Sequence, residues 1–101
     1  MRRATTPTHV FTFPSTVNIA TVTEAELIYG QDGKKILTKT LSDLTPDPQT
    51  NSFSIKLTQD ETSLFAPGKA LAQMRVKAGG TYLASQEVWI QVKPVLNSEV
   101  L

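Results

Sequence analysis

A single chain of 101 residues has room for one domain, and the absence of cysteine excludes disulfide bridges and thiolate metal sites. Ten Lys and Arg against nine Asp and Glu leave a net charge of +1, so no strong field attracts nucleic acid or anionic lipid. No apolar run approaches the ~18 residues that a membrane-spanning helix needs. We therefore expect one soluble domain, residues 1–101, that binds neither nucleic acid nor membrane.

The N-terminal segment begins with Arg2 and Arg3, which could belong to the charged region of a signal peptide. The sequence ATTPTH that follows is polar and broken by proline, which argues against secretion by that route. The absence of cysteine favours folding in a reducing cytoplasm. We interpret residues 1–7 as a flexible arm.

The first predicted strand covers residues 8–13. Phe11 and Phe13 share one face there, and Val10 and Thr12 share the other, which is the period of a half-buried strand. Pro14 ends this strand. Residues 15–21 then form a connection, from which Val17 and Ile19 are expected to reach the core.

A hairpin is predicted where residues 22–30 and 34–41 flank Gln31-Asp32-Gly33. An Asp-Gly pair between alternating runs is a strong hairpin signal, because a type I′ turn needs positive φ at both central residues. Pairing through a two-residue turn at Asp32-Gly33 fixes which residues lie opposite each other. On the core side it places Tyr29, Leu27 and Ala25 opposite Ile36, Thr38 and Thr40.

The other side of this hairpin is predicted to be polar, with Glu26 opposite Lys39 as a stabilising charge pair. It also carries Ile28 opposite Leu37. Two interpretations of this apolar pair remain open. Either it belongs to a sheet that is buried on both sides, or it is a patch that another subunit covers.

Residues 42–51 are predicted to form a loop that crosses between two sheets. The segment contains Pro46 and Pro48, and three further residues of types that favour turns are Asp43, Asp47 and Asn51.

The next strand ends in a capped helical turn. Phe53, Ile55 and Leu57 alternate with polar residues, and Thr58 and Glu61 fit the S/T-x-x-E capping box. A short helical turn is therefore expected near residues 59–65. Pro67-Gly68 ends it, because proline lacks an N–H group and glycine adopts unusual backbone angles.

The last hairpin turns at Gly79-Gly80, and its first strand places Ala70, Ala72, Met74 and Val76 on the core side. Strict pairing would bury Glu87 opposite Ala72, which is too costly for an unpaired carboxylate. We therefore predict a bulge near residues 85–87 that turns Val88, Ile90 and Val92 inward and Trp89 outward. In the alternative, a bulge elsewhere returns Trp89 to the core. Residues 94–101 form a tail.

Together these elements predict an all-β fold, an immunoglobulin-like antiparallel sandwich of six to seven strands with one short helical turn. We expect no catalytic, cofactor-binding or metal-binding residue, since His9 is the single histidine and the close carboxylate pairs lie on a strand face or in a helical first turn. Asp43 and Asp47 lack the ligand density of a calcium loop. The candidate protein interface consists of surplus apolar residues: Ile28, Leu37, Trp89, Val95, Leu96, Val100 and Leu101.

The order of motifs resembles a known group of proteins. It runs from an N-terminal strand through Glu-Ala-Glu-Leu-Ile-Tyr, a Gln-Asp-Gly hairpin and Leu-Thr-Gln-Asp-Glu-Thr-x-Leu-Phe to a Pro-Gly-Lys turn and an Ala-Gln-Met-Arg-Val strand. Over about residues 8–93 this resembles small β-sandwich proteins encoded among the tail and baseplate genes of phages and prophages of Gram-positive bacteria. It is similar, more loosely, to N-terminal domains of phage upper-baseplate proteins, although no long fibrous extension follows.

The resemblance implies a non-enzymatic structural or assembly protein of a phage tail or baseplate. It would act through contacts with other phage structural proteins and through self-association, as a virion component assembled in the cytoplasm of the bacterial host. The alternative is a carbohydrate-binding sandwich module, which would present Trp89, Tyr82 or Tyr29 on an open sheet face. An enzyme comes third, and it would need a pocket lined by Glu24, Glu26 or His9.

Overall fold

The computed structural model describes residues 1–94. Its seven strands form two antiparallel sheets, ordered β1-β5-β4 and β3-β2-β6-β7. The strands are β1 (Thr8–Thr12), β2 (Glu24–Gln31), β3 (Lys34–Thr40), β4 (Thr45–Asp47), β5 (Ser52–Lys56), β6 (Gly68–Ala78) and β7 (Thr81–Val92). The predicted all-β sandwich of six to seven strands is confirmed.

The strand order is that of an immunoglobulin-like sandwich. If β1 to β7 are lettered B, C, C′, D, E, F and G, the two sheets become B-E-D and C′-C-F-G, which is the immunoglobulin arrangement without its first strand. Strand β4 lies inside residues 42–51, the segment that the sequence analysis predicts to be a loop. It is three residues long and contains Pro46, which is tolerated because β4 is an edge strand.

The core lies between the two sheets and is built from the alternating residues of both. Each sheet contributes side chains that are at most 4% exposed: Phe11, Phe53 and Ile55 from one, and Leu27, Tyr29, Ala70, Ala72, Met74, Val76 and Val92 from the other. The predicted core positions Val17 and Ile19 in the first connection are also buried. The Phe13 and Phe53 rings meet edge to face with centroids 6.4 Å apart. This arrangement leaves the outer face of the four-stranded sheet uncovered within residues 1–94.

The helical turn α1 (Gln59–Thr62) begins as the capping box predicts. The Thr58 hydroxyl oxygen accepts a hydrogen bond from the backbone N–H of Glu61 at 3.1 Å, and the Glu61 carboxylate accepts one from the Thr58 N–H at 2.9 Å. Two 3₁₀ turns, Ile19–Thr21 and Leu41–Asp43, were not predicted. Among residues 1–94, no helix has the length and apolar character to cross a membrane.

The β2–β3 hairpin follows the prediction only next to its turn. Asp32 and Gly33 have φ values of 54° and 76°, as a type I′ turn requires, and Gln31 lies opposite Lys34. A bulge between Tyr29 and Gly30 then shifts the ladder by one residue. The predicted register beyond it is therefore wrong.

The shift exchanges the two faces of β3. Leu37, not Ile36, lies opposite Tyr29, and Thr38 lies opposite Ile28. Leu37 packs against the core, so its predicted outward position is corrected, whereas Ile36 packs against the core as predicted. The predicted Glu26–Lys39 pair is also wrong: Lys39 forms an ion pair with Glu61, and Glu26 forms one with Arg75.

A bulge in the β6–β7 hairpin confirms one prediction and corrects another. The phase of β7 does change, so that Ala72 lies opposite Val88 and not opposite Glu87. The extra residue is Leu83, beside the turn, and not a residue between 85 and 87. Val92 is buried and Ile90 packs against the core as predicted. Val88 shares their side, but it remains 41% exposed because β7 is an edge strand.

The predicted arm, residues 1–7, lies against the end of β7. Arg2 and Lys93 form a parallel bridge, the Met1 amino group donates to the Gln91 carbonyl at 2.7 Å, and the Lys93 N–H donates to the Met1 carbonyl at 2.7 Å. Further along, the Thr62 hydroxyl donates to the Thr5 carbonyl at 2.8 Å. The arm therefore extends the edge of the four-stranded sheet at its C-terminal end.

Candidate interaction surface

The outer side of the four-stranded sheet, here named the open face, carries side chains from all four strands. The strand registers place Glu24, Glu26, Ile28 and Gly30 of β2 on it, with Leu71, Gln73, Arg75 and Lys77 of β6, Glu87 and Trp89 of β7, and Thr38 and Thr40 of β3. The side chains on the opposite side of this sheet pack in the core, so core packing holds the strands that carry the open face in place. It divides into a polar end, a middle row and an aromatic end.

The polar end is a groove of about 420 Å³. Glu26 and Arg75 face each other across β2 and β6, and an Arg75 guanidinium nitrogen donates to a Glu26 carboxylate oxygen at 2.7 Å. That hydrogen bond, together with the nearby positive charges, holds the pKa of Glu26 below its ordinary value. Thr23, Thr40 and Ser42 add hydroxyl groups to the lining.

The middle row runs across the sheet from Thr38 through Ile28 and Gln73 to Glu87. The Gln73 side-chain amide donates to the Glu87 carboxylate at 3.3 Å. Ile28 lies between polar neighbours and is half-buried. Along β2, Ile28 therefore lies between the polar end and the aromatic end of the open face.

The aromatic end is a row formed by Gly30, Leu71 and Trp89. Trp89 is 67% exposed, which confirms its predicted outward orientation. Gly30 has no side chain, and next to it lies a hollow of about 270 Å³ lined by Leu71 and Trp89. A large ring with a free face beside a hollow is the geometry of an anchor point for a partner.

Lysine surrounds this hollow. Lys34, Lys35 and Lys69 line it, and Asp32 is the one acidic residue among its lining residues. A local excess of positive charge therefore surrounds an apolar centre, although the whole chain is nearly neutral. Partners with an apolar anchor and carboxylate groups around it complement this arrangement.

The structure separates the predicted interface residues. Ile28 and Trp89 lie on the open face, one register row apart, whereas Leu37 lies on the other side of the sheet against the core. Val95, Leu96, Val100 and Leu101 lie outside the described residues.

Sequence reasoning missed Gly30, Leu71 and the three lysines of the hollow. One signal was present for Leu71. It alternates with the core residues Ala70 and Ala72, which places an apolar side chain on the face that also bears Gln73 and Arg75. The lysines gave no comparable signal, because Lys69 is distant in sequence from Lys34 and Lys35.

The residues proposed for an enzyme pocket do not come together. Glu24 and Glu26 line the polar groove, but His9 lies against the core, where its Nδ1 is 2.6 Å from the Tyr29 hydroxyl oxygen. Tyr29 is fully buried and is therefore not on an open face. Within residues 1–94, no group of three His, Asp or Glu residues is placed to hold a metal ion.

His9 belongs to a partly buried polar cluster with Tyr29, Glu61 and Lys39. Burial, reinforced by the positively charged amino group of Met1, lowers the pKa of His9 below 6.5. Burial and the neighbouring Glu61 raise the pKa of Tyr29. Burial alone would raise the pKa of Glu61, but hydrogen bonds from Lys39 and from the Thr58 backbone lower it below its ordinary value. At neutral pH the cluster therefore contains neutral His9 and Tyr29 beside an ion pair.

We expect His9 to make stability depend on pH. The unfolded chain takes up a proton at His9 near pH 6.5, whereas the folded state resists this protonation. The free energy of unfolding should therefore fall as the pH drops below about 6.5, by at most ~1.4 kcal/mol per pH unit, and level off once folded His9 is also protonated. Urea denaturation between pH 7.5 and about 5 measures this slope, and His9→Gln should flatten it. An equal slope in the variant would contradict the assignment.

In comparisons with known proteins, no family model matches the chain, and no curated protein matches it.

Proposed function

We propose that this protein is a non-enzymatic structural or assembly component of a phage or prophage tail or baseplate. It is a virion component, assembled in the cytoplasm of the bacterial host, and it acts by binding other phage structural proteins through the open face. The proposal joins two supports. The sequence resemblance supplies the tail or baseplate setting, and the exposed Trp89 beside the hollow supplies the mode of action.

The observation that carries the binding role is the exposure of Trp89 on a rigid sheet. Large aromatic residues are enriched among the residues that dominate binding energy at protein interfaces, where they occupy well-packed central positions. Trp89 lies between the half-buried Ile28 and a rim of lysines. A partner that inserts an apolar side chain beside Trp89 and places carboxylates near Lys35 and Lys69 would use both features.

Phage particles provide the direct test of the tail role. Particles purified after induction of the bacterium that carries the gene should contain this protein, and gold-labelled antibodies against it should mark the tail or baseplate in electron micrographs. Deleting the gene should yield particles with defective tails and few infectious units. Normal titre after deletion, with the protein found only outside particles, would overturn the proposal.

Replacing Trp89 with alanine tests the open face. Truncation of a central aromatic anchor typically costs at least ~2 kcal/mol of binding free energy, or about a 30-fold loss of affinity. We therefore expect the Trp89→Ala variant to fold normally and to restore far fewer infectious particles than the natural chain when supplied to the deletion strain. Leu64→Ala is the matched control, since Leu64 is 58% exposed but is not part of the open face. Equal restoration by both variants would contradict the role of the open face.

Carbohydrate binding is the second candidate function, and the exposure of Trp89 also favours it. A tryptophan on an open sheet face can stack against a sugar ring, and the hydroxyl, amide and carboxylate groups of the neighbouring rows can form hydrogen bonds with sugar hydroxyls. A glycan array separates the two functions. Binding that is lost in Trp89→Ala would support this alternative, and the absence of any signal would support protein binding.

A further inference from the structure

We propose that β7 is a self-assembly edge, and that two copies of this chain pair antiparallel along it to form one continuous eight-stranded sheet. The pairing goes beyond the proposed tail role, because it would join two copies of a domain in any setting. It requires unsatisfied backbone groups, little charge and a self-complementary register.

The two edges of the four-stranded sheet differ sharply in charge. The edge strand β3 carries Lys34, Lys35 and Lys39 among its seven residues, and lysine on an edge opposes strand addition. In contrast, β7 carries one charged residue, Glu87, among its twelve residues, and it contains no proline. It also holds Tyr82, Val88 and Trp89, three of the five large apolar side chains that are exposed within residues 1–94.

The structure already contains a short backbone pairing at the end of this edge. The arm pairs with Gln91 near the end of β7 and with Lys93 just after it, through hydrogen bonds from the Met1 amino group and from the Arg3 and Lys93 N–H groups. From Thr81 to Ile90 the outer edge of β7 has no strand partner among the described residues. Backbone groups along such an edge can hydrogen-bond to an added strand.

The register of the pair follows from the side-chain pattern. Opposite residues in an antiparallel ladder point to the same side of the sheet, and side chains alternate along each strand. In a two-fold symmetric pair, the axis must therefore pass through a residue, which lies opposite its own copy, and not between two residues. This residue must belong to the regular segment after the Leu83 bulge. An axis through Glu87 would place two carboxylates opposite each other. The bulge at Leu83 and the arm at Gln91 leave residues 84–90 for pairing, so axes through Gln86 and Val88 allow pairings of equal length. The axis through Gln86 is favoured because it places Glu87 opposite the polar Ser85, whereas the axis through Val88 would place Glu87 opposite Trp89.

Pairing about Gln86 places Val88 of one copy opposite Ala84 of the other, on the core side. The copy would cover Val88, which is otherwise 41% exposed. On the open-face side, Glu87 lies opposite Ser85, which avoids the repulsion between carboxylates. With a net charge of +1 per chain, long-range repulsion does not oppose the association.

Disulfide cross-linking tests the register directly, because the natural chain has no cysteine. Directly opposite residues have Cα atoms about 4.5–5.5 Å apart, within the range that a disulfide bridges. Mixing Ser85→Cys with Glu87→Cys under mild oxidation should therefore give far more cross-linked dimer than either variant alone. The matched control is a mixture of Thr38→Cys with Thr40→Cys, which are exposed and equally spaced on the lysine-rich edge.

The mass of the natural chain in solution, measured by light scattering, should rise with concentration toward that of a dimer. Val88→Lys should weaken the dimer at least about tenfold with an unchanged circular dichroism spectrum, whereas Val10→Lys, on an edge of the other sheet, should not. A natural chain that stays monomeric at every concentration, or a Ser85–Glu87 mixture that cross-links no better than the Thr38–Thr40 control, would overturn the pairing. A dimer in solution with no protein in phage particles would instead overturn the tail role alone.

Discussion

Replacing Leu27 with aspartate is expected to unfold the protein. Leu27 is 0% exposed and lies between the two sheets, paired with Met74 of β6. The substitution removes a buried side chain, which typically costs 2–5 kcal/mol, and forces a carboxylate into apolar surroundings without a partner. A loss of roughly 5 kcal/mol or more is comparable with the whole stability of a typical domain, about 5–15 kcal/mol. Circular dichroism should show the loss of strand structure at neutral pH.

Ile28→Asp is the matched control, because the two side chains are isomers in adjacent positions of the same strand. Ile28 lies on the open face between Thr38 and Gln73, where the new carboxylate stays in contact with water. We expect the Ile28→Asp variant to remain folded, with a loss of about 1 kcal/mol, and to bind its partner more weakly if the open face is the interface. Equal unfolding of both variants would show that β2 does not have one core side and one open side.

The contrast between Leu27 and Ile28 also marks how far the sequence predicts this fold. Alternation along β2 and β6 assigns the two sides correctly, because the side-chain period of a strand is fixed by its backbone. The Asp32-Gly33 turn sets the register of β3 only as far as the bulge. Ile36 and Leu37 are adjacent, both apolar and both packed against the core, so hydrophobicity alone cannot decide which of them lies opposite Tyr29.

A similar limit applies to β7. The cost of burying Glu87 opposite Ala72 requires a bulge, and this part of the prediction holds. Its position is not determined, because Tyr82, Leu83 and Ala84 can each be accommodated on either side of an edge strand. The outward position of Trp89 can therefore be predicted from the sequence, because Trp89 lies three residues from the inward-facing Val92 and so points to the opposite side. The hollow cannot be predicted, because it depends on Lys69 lying close to the β2–β3 turn.

Sequence patterns also did not predict the contacts of two amide side chains, those of the buried Gln31 and the partly buried Asn51. The Gln31 side chain accepts a hydrogen bond from the Ala66 N–H at 2.8 Å and donates one to the Ala66 carbonyl at 2.6 Å, which ties the end of β2 to the segment before β6. Asn51 has the larger set of contacts. Its type indicates a turn, but a sequence does not reveal which distant carbonyl groups its side chain will meet.

Substitution of Asn51 is expected to give the second large effect. The Asn51 amide nitrogen donates to the carbonyl oxygens of Phe13, Pro14 and Val17 at 3.1, 3.0 and 2.7 Å. The Asn51 side-chain oxygen accepts from the Ile19 N–H at 3.3 Å, and its φ is +53°, a left-handed conformation that asparagine tolerates better than most residues. This one side chain therefore fastens the connection after β1 to the start of β5.

A series of variants at Asn51 separates the two contributions. Asn51→Gly keeps the left-handed backbone but loses the hydrogen bonds, at about 2 kcal/mol, and Asn51→Ala should cost about 1 kcal/mol more because it adds backbone strain. Asn51→Asp should be the least stable, since it places a carboxylate against three carbonyl oxygens.

Urea denaturation should rank the Asn51 series as natural chain, Gly, Ala and Asp, from most to least stable. Asn18→Ala is the control of the same residue type, and it should cost less because the Asn18 side chain accepts one hydrogen bond, from Ala20 at 3.0 Å. If Asn51→Ala were no worse than Asn18→Ala, the network would contribute little, and the connection after β1 would be held by burial of Val17 and Ile19 instead. Hydrogen exchange in the Asn51→Ala variant distinguishes these two accounts. If the network holds the connection, the Ile19 amide should exchange faster than in the natural chain although the Val17 and Ile19 side chains stay buried. If burial holds the connection, exchange at Ile19 should change little.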